Sequence, residues 1–264
     1  MNKTPAFPAP KTSLLILFTL LFLVGNAVAG EIRVMTSGGF SAPYDKLIPE
    51  YERASLDTVE TAYGATMGGA PDSIPMRLER NEPADVVILA ASALEELIRQ
   101  GEVVAGSRVD LVRSSIGMAV RSGASKPDIS TVQALTRTLL EAESIAFSAS
   151  ASGNYLSIEL FQMLGIADEL QEKSMRIQGE KVGAVVARGD AEIGFQQISE
   201  LLPIEGIDYV GPLPEEVQRV TVFSAGIVAG ATNVEGARSL IDYLTSEAAL
   251  PVITESGLER AASN

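Results

Sequence analysis

Short, strongly apolar segments alternate along the chain with segments in which apolar residues recur every three or four positions. The first kind is typical of buried strands, and the second is typical of helices that pack one face against a sheet. The predicted strands are Ile32–Thr36, Thr58–Tyr63, Asp85–Leu89, Ile116–Arg121, Ser144–Phe147, Glu192–Phe195, Ile207–Val210 and Thr221–Val228. This alternation predicts an α/β fold with mixed, mainly parallel sheets.

Capping residues and apolar spacing indicate where helices begin and end. Ser92 and Glu95 have the spacing of a capping box, and Gly101 is suited to end the helix that they begin. Two further helical runs are predicted near the end of the chain, at Ala237–Leu244 and Ala248–Glu255. Helices are therefore expected to fill the gaps between the strands.

Two of the predicted strands, Ile116–Arg121 and Thr221–Val228, bracket an αβ block that can form its own core. We therefore expect two lobes joined by two hinge crossings. Lobe one comprises residues 30–117 together with residues 225–264, which return to pack on it, and lobe two comprises residues 118–224.

The N-terminal segment has the pattern of a secretory signal peptide. Two lysines precede an apolar run over residues 14–24, which ends in the small-residue sequence A-V-A at residues 27–29. The run is too short to cross a hydrocarbon core of about 30 Å as a helix. We predict that residues 1–29 are removed after Ala29, which leaves a soluble periplasmic protein with no membrane insertion.

Charge and composition exclude several functions. The signal contains two lysines and no acidic residue, so its removal takes the formal net charge from −14 to −16. Such an acidic chain is a poor partner for nucleic acid. The absence of Cys and His excludes disulfides, thiolate nucleophiles, imidazole bases and most zinc or copper sites. We expect no metal site and no cofactor, but backbone N–H groups at helix starts can still bind an anion.

The candidate binding residues follow predicted strands, because ligands of open α/β sheets lie beyond the carboxyl ends of the strands. Ser37, Gly38 and Gly39 follow the first strand, where two glycines allow close approach of a ligand and the serine can donate its hydroxyl. The competing interpretation is a tight turn with a serine cap. The next turn, residues 64–75, is rich in glycine and places Met67 and Gly68 before a helix.

The second lobe offers a serine-rich helix start and two adjacent glutamines. Ser150, Ser152 and Gly153 begin a helix and can bind a carboxylate or another oxyanion, although capping also explains Ser152. Val182 begins another helix, and Gln196 and Gln197 follow an apolar strand. One of these glutamines can bind the backbone at the hinge while the other binds the anion.

A cationic partner is also expected for an anion with several carboxylates, because guanidinium and ammonium groups pair with carboxylates. The candidates are Arg77, Arg80, Arg121 and Lys181. Arg188 is interpreted as a structural residue of a turn. These four candidates remain alternatives.

Three stretches resemble the periplasmic molybdate-binding protein family: MTSGGF at residues 35–40, MRLERNEPADVVILAAS at 76–92 and VGAVVARGDAEIGFQQ at 182–197. The resemblance covers nearly the whole chain after the proposed signal. It implies a two-lobed type II periplasmic binding protein fold with one small anion between the lobes. The loop at residues 64–75 looks longer than in the molybdate binders, which implies a bulkier ligand.

Within this family the chain more closely resembles aconitate isomerases. The resemblance is carried by SGG at residues 37–39, IPMRLERNEPADVV at 74–87, MAVRSGASKPDIS at 118–130, SASGNYLS at 150–157 and GFQQISEL at 194–201. This resemblance implies a periplasmic enzyme that interconverts cis- and trans-aconitate, a tricarboxylate, in the cleft between the lobes.

Such an isomerisation moves a proton between two carbons that flank a double bond, so a side chain must remove it and return it. With no His or Cys, Tyr155 is the first candidate for this catalytic group and Ser37 is the second. The alternative function is a monomeric solute receptor that delivers a small carboxylate or oxyanion to an ABC permease. Turnover of the ligand distinguishes the isomerase from the receptor.

Overall fold

The computed structural model describes residue 1, residues 30–67 and residues 69–262, so the proposed cleavage point lies outside the described residues. These residues form two mixed sheets. The strands are β1 (Glu31–Ser37), β2 (Thr58–Gly64), β3 (Val86–Ala90), β4 (Val109–Ser114), β5 (Ile116–Arg121), β6 (Ile145–Ser148), β7 (Ser174–Ile177), β8 (Ile193–Gln197), β9 (Ile207–Pro212), β10 (Thr221–Ile227) and β11 (Glu259–Arg260).

The six-stranded sheet has the order β11-β4-β10-β3-β1-β2, and the five-stranded sheet has the order β7-β6-β8-β5-β9. The expected mixed α/β fold is confirmed, but "mainly parallel" overstates it. Among the described strands, four of the nine paired neighbours are parallel. Four of the five antiparallel pairs arise because β5 and β10, which follow the crossings between sheets, run against both of their neighbours. The fifth pairs the short strand β11 with β4.

Helices cover both faces of each sheet. They are α1 (Gly38–Ser55), α2 (Ile74–Glu79), α3 (Ala91–Gln100), α4 (Val132–Glu141), α5 (Ala151–Asn154), α6 (Phe161–Met163), α7 (Ala167–Leu170), α8 (Val182–Arg188), α9 (Ile198–Leu201), α10 (Val234–Leu244) and α11 (Leu250–Glu255). A π-helical segment, Tyr155–Leu160, joins α5 to α6. In the described part of the chain, no helix is long and apolar enough to span a membrane.

The chain crosses from the first sheet to the second at Ser115 and returns over residues 213–220. Because β5 and β10 each lie wholly in one sheet, boundaries at 117/118 and 224/225 would cut both strands. We therefore propose two lobes that are divided at these crossings. The first lobe contains the six-stranded sheet, and the second contains the five-stranded sheet.

Each lobe has its own buried core. In the first lobe, apolar residues of α1, α10 and α11 cover one face of the sheet. Residues of α2 and α3 cover the other face. In the second lobe, α4 to α7 lie on one face and α8 on the other. Packing in these two cores fixes where the strands of each sheet end.

Two features of the sequence-based prediction are wrong. Ser92 and Glu95 do not form a capping box, because α3 begins at Ala91 and β3 leads directly into it through Ala90. Gly101 ends this helix with a left-handed backbone conformation, as expected. Strands β4, β7 and β11 were missed because they are partly exposed and carry arginines among their apolar residues.

Candidate functional site

A cavity of about 310 Å³ lies between the two lobes. Most of its lining comes from the residues that end or follow β1, β2, β6, β7 and β8. Each of these strands has a parallel neighbour in its sheet, so the cavity lies where open α/β sheets bind ligands. Its volume is at the lower end of the range for small-molecule sites.

Ser37 lies at the end of β1, directly before α1, and lines the cavity. Its side chain does not cap α1, and among the described residues its buried Oγ has no hydrogen-bond partner. A buried hydroxyl without a partner is costly. The hydroxyl is therefore available to a ligand, together with the N–H groups that begin the long helix α1.

Gly38 and Gly39 also line the cavity, but their lack of a side chain has a different reason from the one expected. A Cβ on Gly38 would overlap the carboxyl of Glu200, and a Cβ on Gly39 would overlap the ring of Phe223. These glycines let α1 approach side chains of the protein itself. Sequence alone attributed this to the approach of a ligand.

The turn after β2 contributes Gly64, Ala65 and Thr66 to the cavity. Thr66 Oγ1 accepts a hydrogen bond from the N–H of Ala90 (2.6 Å), which ties this turn to the end of β3. Met67 lies instead in a neighbouring cavity, where the Asn154 amide donates to its sulfur (3.2 Å). Gly68 lies outside the described residues.

Three serines of the second lobe face the first. Ser148, Ser150 and Ser152 all line the cavity, and the Ser148 and Ser152 hydroxyls are hydrogen-bonded to each other (3.0 Å). Ser150 precedes α5 without capping it through its side chain. Gly153 packs against the Ser148 carbonyl, where a Cβ would overlap it, so its role is to close the turn rather than to contact a ligand.

The two glutamines have different partners. Gln196 Oε1 accepts from the Val182 N–H (2.9 Å) and Gln196 Nε2 donates to Glu200 Oε1 (2.8 Å). The Val182 N–H is therefore already bound, and Val182 does not line the cavity. Gln197 Nε2 donates to Thr221 Oγ1 (3.1 Å) at the start of β10, while its buried Oε1 has no partner among the described residues. Both glutamines line the cavity.

Tyr155 is placed away from this cavity. Its hydroxyl donates to the Val217 carbonyl (2.7 Å), and the Arg219 guanidinium lies over its ring, 4.5 Å from the centroid. Burial raises the pKa of the phenol, against the opposing effect of Arg219. This placement does not favour Tyr155 as the proton-transferring group, because its hydroxyl is occupied and a raised pKa disfavours the phenolate.

Glu200 is a cavity-lining residue that the sequence analysis missed. It lies in α9, directly after β8, and its carboxyl meets the first residue of α1 across the lobes. Burial raises the pKa of the Glu200 carboxyl to about 7, although the Lys181 charge and the Gln196 hydrogen bond act to lower it. The signal in the sequence was an acidic residue in the otherwise uncharged GFQQISEL segment.

Lys181 is the one lysine or arginine that lines the cavity among the residues that the structure describes. Arg77 is bound to Glu82 and to the Asp72 carbonyl, and Arg80 pairs with Glu82. Arg188 forms ion pairs with Glu180 and Asp190, which agrees with a structural role. Of the four candidate cations, the cavity thus contains Lys181.

The chemical character of the cavity is mixed. It offers hydroxyl and N–H donors and one ammonium, but also the acidic side chains Asp45, Asp72, Glu180 and Glu200. The hydroxyl of Tyr63 donates to Asp45 at its rim. Donors of this kind bind carboxylate oxygens, and a buried carboxyl with a pKa near neutrality can both accept and return a proton.

Comparisons with known proteins agree with this architecture. A family model described as bacterial extracellular solute-binding protein matches residues 32–259. An aconitate isomerase from Pseudomonas sp. is 44% identical over 255 residues, which cover 97% of this chain and 97% of that protein. A molybdate-binding protein from Azotobacter vinelandii is 27% identical over 243 residues, which cover 88% of this chain and 90% of that protein.

Solved structures show the same fold. The periplasmic molybdate-binding protein of Azotobacter vinelandii superposes with a TM-score of 0.71 at 19% identity, over 88% of this chain and all of that one. A sulfate-binding protein from Mycobacterium tuberculosis superposes with a TM-score of 0.64 at 16% identity, over 87% of this chain and 86% of that protein. The two-lobed type II binding fold expected from the sequence is confirmed, and the chain belongs to the bacterial extracellular solute-binding protein family.

Proposed function

We propose that this protein is an isomerase that interconverts cis- and trans-aconitate in the cavity between its lobes. The observation that carries the proposal is the 44% identity to an aconitate isomerase, which extends over 97% of both chains. An alignment of that length includes every element that lines the cavity. The isomerase function is therefore favoured over functions that share only the fold.

The cavity suits a tricarboxylate. Ser37 and the start of α1 can bind one carboxylate, and Ser150 and Ser152 can bind another from the opposite lobe. Lys181 supplies a positive charge, and the amide group of Gln197 lies at the hinge beside β10. Together with Gly38, Gly39 and Gln196, these residues form the proposed binding site.

Direct measurement of turnover tests the proposal. Purified protein is incubated with trans-aconitate and the formation of cis-aconitate is followed by chromatography. Conversion in both directions to the same final ratio is expected, because a catalyst leaves the equilibrium unchanged. Tight binding without conversion would contradict the isomerase function.

A solute receptor for an ABC importer is the second candidate function, and it is favoured by the 27% identity to a molybdate-binding protein. The two candidates bind different anions. A receptor for molybdate would be stabilised by molybdate and would not convert aconitate. The isomerase is expected to be stabilised by aconitate and to convert it.

We also propose that the mature chain begins at Gly30 in the periplasm. The Gly30 N–H donates to Asp57 Oδ1 (2.8 Å), so the new α-amino group would meet a carboxylate there. Mass spectrometry of protein from the periplasmic fraction is expected to show a chain that lacks residues 1–29. A chain that retains them would contradict this proposal.

A further inference from the structure

We propose that Glu200 is the group that moves the proton during isomerisation, an inference that rests on the proposed function. Glu200 lines the cavity, and its carboxyl meets Gly38 at the start of α1. The binding residues Ser37 and Lys181 line the same cavity. The Glu200 carboxyl can therefore contact a ligand that is bound by Ser37 and Lys181.

The carboxyl is held in place from both lobes. Gln196 Nε2 donates to Glu200 Oε1 (2.8 Å) from the end of β8. The neighbouring Ser199 Oγ donates to the Gly39 carbonyl (2.8 Å), which fixes α9 against α1. A base that is positioned by hydrogen bonds and packing before the substrate arrives loses little entropy during the reaction.

The other candidates for this role are poorly placed. The hydroxyl of Tyr155 is bound to the Val217 carbonyl, outside this cavity. Ser37 is suited to donate its hydroxyl to a carboxylate, but in the part of the chain that the structure describes no base lies within hydrogen-bond distance to activate it as a proton acceptor. The remaining ionisable side chains of the cavity are Asp45, Tyr63, Asp72, Glu180 and Lys181. Asp45 and Tyr63 are bound to each other, and Glu180 is bound by Arg188. Asp72 is exposed, and Lys181 is assigned above to the charge of the ligand.

The step balances with one carboxylate. Ionised Glu200 takes a proton from the methylene carbon of trans-aconitate, and the released electron pair forms a double bond to the central carbon. The original double-bond pair moves onto the outer carbon and is delocalised into its carboxylate. Protonated Glu200 then returns the proton to that outer carbon. The double bond has changed sides and can adopt the cis geometry, and no other reactant is consumed.

Replacement of the carboxyl tests the proposal. Glu200→Gln keeps the shape and can still interact with Gln196, but it cannot accept a proton. We expect kcat to fall by about 100-fold to 10,000-fold, the usual contribution of a general base. Binding of trans-aconitate, measured by calorimetry, should stay within about threefold of the original protein. The matched control is Glu205→Gln, the same change at an exposed residue, which should retain full activity.

The possible outcomes separate this inference from the proposed function. If the original protein converts aconitate and folded Glu200→Gln does so within tenfold of its rate, the role of Glu200 is wrong and the isomerase function stands. If the original protein binds aconitate without converting it, the function itself fails, and the role of Glu200 fails with it.

Glu200→Asp provides a second variant should Glu200→Gln not fold. It keeps the carboxyl but withdraws it by one methylene group. A loss of about tenfold or more in kcat supports the proposal. An unchanged kcat overturns it.

Discussion

At the scale of single residues, the two most informative side chains are carboxyls whose surroundings act in opposite directions. Asp85 is 1% exposed and accepts hydrogen bonds from the backbone N–H groups of Arg33 (2.8 Å), Thr232 (2.6 Å) and Asn233 (2.9 Å). Burial alone would raise its pKa, but these bonds outweigh it and lower the pKa below its ordinary value. The ionised carboxyl thus joins β1, β3 and the start of α10.

Replacement of Asp85 by Asn should destabilise the protein by about 2 kcal/mol, because one acceptor oxygen becomes a donor that faces buried N–H groups. The folded-state pKa lies below the unfolded value, so the contribution of this carboxyl is present above a pH of about 4 and is lost as the pH falls through the folded-state pKa. Urea unfolding at pH 7 and below pH 4 measures this. The exposed Asp242→Asn is the control, and an equal penalty at both pH values would contradict the argument.

For Glu200 we expect the opposite pH dependence of the free energy of unfolding. Burial raises its pKa from 4.5 to about 7 in the folded protein. Its stabilising contribution is therefore complete below the unfolded value and is lost as the pH rises through about 7. At pH 8 we expect Glu200→Gln to be more stable than the original protein by at most about 3 kcal/mol, and at pH 4 we expect little difference. Thermal or urea unfolding at both pH values measures the effect. A variant less stable at pH 8 would show that the ionised carboxyl is well solvated.

Glu200 also sets the expected pH dependence of activity. A base must be ionised to accept a proton, so kcat/KM should rise with pH through about 7, the pKa of Glu200 in the free protein. Initial rates between pH 5 and 9 test this. A flat profile across that range would mean that the titrating group is not part of the reaction.

At the scale of elements, the turn between β6 and α5 depends on Gly153, where a Cβ would overlap the Ser148 carbonyl. Gly153→Ala should therefore destabilise the protein by about 2 kcal/mol through overpacking, and it should weaken aconitate binding because Ser148 and Ser152 move with the turn. Gly230→Ala is the matched control, since a Cβ there meets open space. Calorimetric binding that is unchanged in folded Gly153→Ala would exclude this turn from the site.

The sequence predicted the buried strands and most strand-to-helix turns because their apolar runs and glycines are local signals. It missed β4, β7 and β11, which are partly exposed and carry charged residues. It also could not assign the bonds of Gln196, Tyr155 and Glu200, because their partners are distant in the chain or come from another element. The hydroxyl of Tyr155 meets Val217, which is 62 positions further along.

At the scale of the whole molecule, the two crossings and a cavity between two lobes were predictable, because each lobe needs its own core and parallel strands end at a common edge. What the sequence could not predict is how the lobes meet. The bond between Ser199 and the Gly39 carbonyl joins residues 160 positions apart and brings α9 to α1. That contact places Glu200 beside the start of α1.

A ligand held between the lobes should depend on donors from both. Trans-aconitate at 100 times its Kd should stabilise the folded protein by about 2.7 kcal/mol. Ser37→Ala, in the first lobe, and Ser152→Ala, in the second, should each weaken binding by about tenfold, because each removes a hydroxyl donor to a charged oxygen. The exposed Ser125→Ala serves as the control. If only one of the two serine variants changed the Kd measured by calorimetry, the ligand would be bound by one lobe alone. A loss in both variants, with their free energies roughly additive, is expected for an anion that bridges the lobes, since the two serines lie on separate elements.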